Sequence, residues 1–316
     1  MVIRGMNPLK RLIVDDLVDQ AGRHDQREVF AEPAGDPGLI GPGSVSWELH
    51  SDPSAVAIAG TAAIVMELLH PSVMAGVGQQ SNYREQPYRR ARTTFGWVIT
   101  TTFGNTTAAE SMIERVKRMH ARVNGTRPDG VPYRALDPEL IAWVHSCIPW
   151  GVMTAFERFN RPLTTEQKDR YLAEQSVVGL MSGADEVPTT VAELEAFMEE
   201  MRPKLGVSEL LHEFLDFLVK GPLGALTPPG PLAGPSKRFQ VASGMSLTPR
   251  WAQEMTGFDR PEIAQRLLQA PSMHAYARAL RWAFGTPPWR RLAEERVGTQ
   301  AAANTTTPRI GTLISA

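Results

Sequence analysis

The sequence has a single cysteine, and this scarcity limits the classes of protein to which it can belong. One thiol among 316 residues excludes an intrachain disulfide framework and a metal cluster held by several thiolates. Cys147 lies in the middle of a predicted helix, so we expect a buried, unreactive thiol and not a nucleophile. The chain therefore depends on an apolar core, and its length is enough to bury a large one.

Charge of one sign and long apolar runs are also scarce. The formal net charge is -1, and no run of Lys or Arg is interleaved with aromatic residues, which argues against a nucleic-acid-binding surface. The apolar stretch Ala55 to Leu69 contains Glu67 and falls short of the roughly twenty residues that a membrane-spanning helix needs. Residues 1–16 are too charged for a secretory signal. We expect a cytoplasmic protein without a membrane span.

Amphipathic helices bounded by capping residues account for most of the chain, and no period-two strand pattern or internal repeat is present. The predicted fold class is all-α, with one large helical domain over residues 47–297. Residues 1–46 are predicted to form a loop-rich N-terminal segment, because glycine and proline recur between positions 35 and 43. Residues 298–316, rich in alanine and threonine, are predicted to form a flexible tail.

One predicted helix carries His120 on its apolar side. Thr107 and Glu110 have the spacing of a capping box at its start, and Gly125 supplies a stop. A neutral imidazole in an apolar cleft suits a metal or a haem iron, because its nitrogen lone pair is free. The alternative is a core histidine whose ring is hydrogen-bonded to a backbone carbonyl.

The preceding predicted helix places two cations and a hydroxyl on one face. Arg89, Arg92 and Thr93 stand at positions i, i+3 and i+4, and Gly96 continues that face. This arrangement suits recognition of a carboxylate, such as a haem propionate or an acidic substrate, or assistance to bound dioxygen. Gly96 would let a flat ligand approach the backbone. The alternative is a solvated basic face, since Arg90 lies nearby.

Other histidines offer two further hypotheses. His145 lies on the buried stripe of the next helix, so His120 and His145 could flank one site. A repeated Glu-x-x-His pattern also places carboxylate and imidazole on one helix face, as in ferritin-like di-iron proteins. Its two copies are Glu67 to His70 and Glu209 to His212.

Several blocks of the sequence resemble a known family, over roughly residues 45 to 200. The family comprises the latex-clearing rubber oxygenases and the fungal MpaB-type oxygenases. The similar blocks are His70-Pro71-Ser72-Val73-Met74-Ala75-Gly76-Val77, Arg89-x-x-Arg92-Thr93, Phe103-Gly104, His120-Ala121-Arg122-Val123-Asn124-Gly125, Tyr133-Arg134-Ala135-Leu136-Asp137-Pro138-Glu139-Leu140 and Trp143-Val144-His145.

The resemblance implies an all-helical protein with a globin-like core that binds haem b. By this resemblance, His120 is the proximal ligand of the haem iron, and the Arg89 to Thr93 segment lies on the distal side. His145 matches a second histidine near the site, without an assigned bond to iron. Arg92 stands where rubber oxygenases carry a lysine that can occupy the sixth iron position, and a guanidinium is a poor ligand because it stays protonated.

The function that we predict from the sequence is a haem-b-dependent oxygenase or peroxidase-like enzyme. Rubber is not the expected substrate, because the sequence shows no export signal. A small, apolar, intracellular substrate together with dioxygen or peroxide fits better. In this prediction Arg92 and Thr93 assist the oxidant, and Arg89 and Gly96 contact the haem. A di-iron oxidase and a non-catalytic haem-binding protein remain as alternatives.

Overall fold

The structure, a computed structural model, describes residues 27–221, 233–258 and 270–301, and these segments are mostly helical. This confirms the predicted all-α class. The helices are α1 (Val45–His50), α2 (Pro53–Leu68), α3 (Pro71–Gln80), α4 (Pro87–Phe103), α5 (Thr106–His120), α6 (Pro138–Phe159), α7 (Thr165–Ser182), α8 (Val191–Met201), α9 (Glu209–Lys220), α10 (Ala233–Met245), α11 (Arg250–Thr256), α12 (Ala270–Phe284) and α13 (Pro288–Ala301).

Capping residues set most of the described helix starts. Asp52 accepts hydrogen bonds from the backbone N–H groups of Ser54 and Ala55, and Pro53 occupies the first helical position. Full capping boxes begin α7 at Thr164 and α8 at Thr190. These side chains satisfy backbone donors that the first helical turn leaves unpaired.

The surroundings of His120 differ from the prediction in three details. The cap of α5 is Asn105, whose Oδ1 accepts a hydrogen bond from Ala108 N at 2.7 Å, so Thr107 lies inside the helix. The helix ends at His120, and Gly125 lies instead in an antiparallel hairpin of β1 (Asn124–Thr126) and β2 (Pro132–Arg134). Three-residue strands are too short to show a period-two pattern.

Helix α2 lies at the centre of the main core and packs most extensively on α6, with further contacts to α1, α3, α10 and α12. Small residues allow this close approach. A Cβ atom at Gly151 of α6 would lie 3.2 Å from the Cβ of Ala63. A Cβ atom at Gly244 of α10 would lie only 2.4 Å from the Cβ of Thr61. Helices α6 and α10 therefore pack against α2 at positions that have no room for a larger side chain.

A buried arginine ties the C-terminal helix to the N-terminal segment. Arg296 of α13 is 2% exposed, and its guanidinium donates hydrogen bonds to the carbonyl oxygens of Phe30, Asp36, Phe103 and Gly104. Two of these carbonyls stand at the end of α4, which satisfies backbone acceptors that the helix leaves unpaired. The fold thus holds the C-terminal end of α4 in place.

The predicted domain boundaries fall near observed elements. A short π-helical turn, Arg27–Ala31, lies within the predicted N-terminal segment, and α13 continues to Ala301 past a non-helical Gly298. Residues 1–26 and 302–316 lie outside the described residues, as does the segment 261–268, for which the sequence pattern indicates a helix.

Among the described helices, none alone is long and apolar enough to cross a membrane. The bent pair α2 and α3 passes the length and composition test together, with an angle of 106° between its helices.

The close contacts of α2 predict opposite effects for one substitution at two glycines. Gly244→Ala should lower the free energy of unfolding by about 1–3 kcal/mol, because the new methyl group overlaps Thr61. Gly60→Ala, on the exposed side of α2 where nothing lies within 4 Å, should raise it by about 0.5–1 kcal/mol. Urea unfolding of both variants measures the difference. Equal changes in the two variants would contradict close packing of α10 on α2.

Candidate functional site

His120 is the last residue of α5, and its ring is half-buried. Burial lowers the pKa of His120, and the positive charge of Arg90 lowers it further. The imidazole is therefore neutral at neutral pH and keeps a lone pair. No residue in the described part of the chain hydrogen-bonds to this ring. The alternative, a core histidine bonded to a backbone carbonyl, therefore has no support among the described residues.

His145 lies on α6 close enough to His120 for the two rings to interact electrostatically. Burial lowers the pKa of His145 to about 4, and His120 contributes to the shift. The ring of Trp97, from α4, meets it edge-on with centroids 5.2 Å apart. On the other side, a Cβ atom at Gly179 of α7 would lie 3.1 Å from the Cβ of His145. Helices α4, α6 and α7 thus fix the position of His145.

Arg90 and Glu67 bring a cation and a carboxyl group to the same place. Arg90 of α4 donates a hydrogen bond to Thr94 Oγ1 at 3.0 Å, and its charge acts on both His120 and Glu67. Glu67 lies in the last turn of α2. Burial raises the pKa of Glu67 to about 8, although Arg90 opposes the shift, so this carboxyl group is largely protonated at neutral pH.

We call Glu67, Arg90, Trp97, His120 and His145 the histidine cluster. Each of these side chains keeps some accessible surface, and Arg90 is exposed. Yet burial is the largest cause of the pKa shift of Arg90, of Glu67 and of both histidines. Burial and mutual electrostatic interactions therefore set the charge states of this cluster.

Two polar atoms beside His145 lack hydrogen-bond partners among the described residues. They are the buried indole nitrogen of Trp97, Nε1, and the buried hydroxyl of Ser146. Unpaired buried polar groups are costly and are typical of sites that a ligand or an ordered water completes. Cys147, next in the chain, is fully buried, and burial raises the pKa of its thiol. It is therefore unreactive, as predicted.

The residues predicted on α4 lie on a neighbouring face of that helix. Arg90 and Trp97 are seven residues apart and share a face, whereas Arg89, Arg92 and Gly96 lie roughly 90–150° around the helix from it. Arg89 donates a hydrogen bond to Gln86 Oε1, and Thr93 Oγ1 donates one to the carbonyl oxygen of Arg89. Arg89, Arg92 and Thr93 are exposed, and Gly96 is half-buried. No described contact joins them to His120.

The two Glu-x-x-His motifs do not form a shared centre. The Nδ1 of His70 accepts a hydrogen bond from Ser72 N and caps α3, while Glu209 and His212 are exposed on α9. Among the described residues, no group of three or more His, Cys, Asp or Glu side chains is arranged to hold a metal ion. The described residues therefore do not supply the set of ligands that a di-iron site requires.

Comparison with known proteins identifies the domain that carries this cluster. Residues 47–282 match the family model described as "ER-bound oxygenase mpaB/B'/Rubber oxygenase, catalytic domain". The chain belongs to this family. The match includes all five residues of the histidine cluster and confirms the family that the sequence blocks resemble. Residues 47–282 thus form a catalytic domain of an oxygenase family.

Two mycobacterial relatives extend the comparison. The chain is 28% identical over 120 residues to uncharacterized protein Mb2261 of Mycobacterium bovis and to uncharacterized protein Rv2237 of Mycobacterium tuberculosis. These matches cover 37% of this chain, and the chain spans about half the length of the relatives, 47% of each. No solved structure matches the chain significantly.

Sequence reasoning assigned no site role to Arg90 and considered Glu67 only as a di-iron ligand. It offered Trp97 only as a residue that could either line an apolar pocket or pack in the core. Two signals were available for this oxygenase-family domain. Arg90 and Trp97 have the i, i+7 spacing of one helix face. Glu67 is a carboxylate within an otherwise apolar helix, which is uncommon unless the residue has a partner or a function.

The raised pKa of Glu67 predicts a pH-dependent loss of stability. Between pH 4.5, the ordinary pKa, and about 8, the folded protein holds a proton that the unfolded chain releases, so stability falls as pH rises. Glu67→Gln should remove this fall, at most about 1.4 kcal/mol per pH unit. Urea unfolding across this range tests it, with the exposed Glu110→Gln as control. Parallel curves for Glu67→Gln and the parent protein would refute it.

The coupling between Arg90 and His120 has its own test. Arg90→Gln should raise the pKa of His120, because the cation that disfavours the imidazolium is gone. An NMR titration of the imidazole resonances measures this pKa. Arg92→Gln removes the same charge from the neighbouring face and should leave it unchanged. If Arg92→Gln changed the pKa of His120 more than Arg90→Gln does, the functional face of α4 would be the one predicted from the sequence.

Proposed function

We propose that the protein is a haem-b-dependent oxygenase that acts on a small apolar substrate, with His120 as the axial ligand of the iron. The observation that carries this proposal is the histidine cluster: two neutral imidazoles in a desolvated space, inside a domain of an oxygenase family. The globin-like haem-binding core implied by the resemblance is part of the same proposal.

The described residues fit a haem. An axial histidine must offer a lone pair, and His120 does so because burial and Arg90 both disfavour its imidazolium form. Its ring has no hydrogen-bond partner in the described segments that would compete for that lone pair. Trp97 Nε1 and Ser146 Oγ are buried and unpaired nearby, as expected where a bound group completes a site.

Bound haem would supply the activation of dioxygen or peroxide, and the chain would supply the charges and the proton. Arg90 is a fixed cation next to His120, and it stays protonated because a guanidinium is a very weak acid. Glu67, with a pKa of about 8, can hold a proton on its carboxyl group at neutral pH and release it when a negative charge leaves the site.

The roles predicted for the neighbouring face of α4 stay predictions within this proposal. Arg89 and Gly96 would contact the haem, Arg89 by pairing with a propionate, and Arg92 and Thr93 would assist the oxidant. His145 would stand beside the site, fixed by Trp97 and Gly179, without a bond to iron. A small apolar substrate is consistent with the apolar core to which α2 and α6 belong.

Haem binding by His120 can be tested without knowing the substrate. The protein should bind one haem per chain and show a Soret band when it is produced with iron and a haem precursor. His120→Ala should lose that band, whereas His212→Ala, an exposed histidine on α9, should keep it. Visible spectra and metal analysis of the three proteins measure this.

Three results would contradict the proposal in different ways. A parent protein that holds non-haem iron, lost on His212→Ala, would restore the di-iron alternative. A Soret band that persists in His120→Ala would leave a haem protein with a different ligand, and His145→Ala would then be the next variant to measure. Haem bound without oxygen-dependent turnover would favour the non-catalytic haem-binding alternative.

A further inference from the structure

A separate polar cleft of about 460 Å³ lies where α3 and α6 begin. The β1–β2 hairpin and the 3-10 turn Arg202–Lys204 complete its walls. None of the residues that line it belongs to the histidine cluster. The floor is rigid, because the buried Tyr133 donates a hydrogen bond to Gln79 Oε1 and accepts one from Gln80 Nε2, which anchors the hairpin to α3.

His70 presents a buried donor to this cleft. The residue is 6% exposed and lines the cleft. Its Nδ1 accepts a hydrogen bond from Ser72 N at 3.2 Å, and a backbone amide can only donate. The neutral ring therefore carries its proton on Nε2. Burial lowers the pKa of His70, so this form prevails at neutral pH, and no residue that the structure describes accepts from Nε2.

The ion pairs around His70 leave one cation of the cleft without a partner. Lys204 forms an ion pair with Glu139, and Arg127 forms one with Asp129, so two of the nearby carboxylates are neutralised. Arg134 also lines the cleft, is exposed, and has no ion-pair partner within the described ranges.

The fifth charged group of the cleft, Asp137, is engaged at the start of α6. Its Oδ1 accepts a hydrogen bond from Glu139 N at 3.0 Å and caps the helix. The 10-residue α3 and the 22-residue α6 both direct their N-terminal ends toward the cleft, since the capping residues His70 and Asp137 line it. Helix N-termini carry partial positive charge and favour anions.

We propose that this cleft binds a small oxyanion, the phosphate or carboxylate group of a small molecule, through the Nε2–H of His70 and the guanidinium of Arg134. The bond at Nδ1 fixes the direction of the Nε2–H donor, which faces the cleft without an acceptor among the described residues, and an oxyanion offers several acceptor atoms. Arg134 supplies the matching charge and can donate two parallel hydrogen bonds to such a group. The proposal does not depend on haem, because no residue is shared with the histidine cluster.

The chain offers variants that separate anion binding from folding. His70→Asn should keep the cap of α3, because an asparagine side chain accepts from a backbone N–H at this position as well as any residue does. The same variant removes the Nε2–H donor. Arg134→Gln removes the exposed guanidinium. Arg122→Gln, outside the cleft and also exposed, removes the same charge and serves as the control for general electrostatics.

Isothermal titration with inorganic phosphate and, separately, with acetate tests the proposal in a dilute buffer free of other oxyanions. We expect saturable binding of one or both anions, weakened at least about tenfold by His70→Asn and by Arg134→Gln. Arg122→Gln should leave the affinity within about twofold. The ratio of the affinities for phosphate and acetate shows whether the cleft prefers a phosphate group or a carboxylate group.

Absence of saturable binding of both anions would overturn the proposal, as would equal weakening by all three variants. Circular dichroism melting confirms that each variant is folded, and Arg134→Gln decides the matter if His70→Asn unfolds. The titration repeated on His120→Ala should give the parent affinity, so failure of the haem proposal would leave this result unchanged.

Discussion

The close packing of α2 against α6 and α10 is the constraint on which the rest of the structure depends. Gly151 and Gly244 bring their helices to within van der Waals contact of the α2 backbone region, and any larger residue would separate them. The contact also fixes the position of α6 along α2. Trp143 Nε1 of α6 donates a hydrogen bond to the carbonyl oxygen of Glu67 at 3.2 Å. Because His145 follows Trp143 by two residues, the same contact positions both Glu67 and His145.

Desolvation by this packing sets the charge states of the candidate site. Burial disfavours whichever form of a group is charged, so the pKa of Glu67 rises and the pKa values of His120 and His145 fall. All three groups are driven toward neutrality at neutral pH, while Arg90 remains a cation. Neutral imidazoles, one neutral acid and one fixed positive charge support the proposed haem site, in which Arg90 would stabilise negative charge that develops beside the haem.

Capping chemistry explains how much of the fold could be predicted from sequence. Asp52, Thr164 and Thr190 bond to backbone donors within their own helical turn, so a local pattern is sufficient to find them. The predicted start of α5 was wrong. Asn105 and Thr107 are both good capping residues, and tertiary contacts decide which of the two caps the helix. The amide nitrogen of Asn105 donates to the carbonyl oxygens of Glu28 and Glu32, which no local pattern reveals.

The site was predicted less completely for the same physical reason. A helix with cations all around its first turns does not disclose which face its neighbours cover, and on α4 the choice between Arg89 and Arg90 is made by the positions of α2 and α5. Periodicity placed His145 on the apolar stripe of α6, where its ring packs against α4 and α7. The stripe predicted around His120 is buried only at Ala109 and Ile113, and Met119 is exposed. The family resemblance adds the chemistry that neither periodicity nor packing can supply.

The break between α2 and α3 shows where a spacing rule fails. Glu67 and His70 stand at i and i+3, and they would share a face if one helix contained both. Helix α2 ends at Leu68, however, and α3 leaves at 106° after Pro71. The last turn of α2 directs Glu67 toward the histidine cluster, while the His70 ring turns back to cap α3 and lines the polar cleft. The two residues of this motif therefore lie in two separate sites, because α2 ends between them, ahead of Pro71.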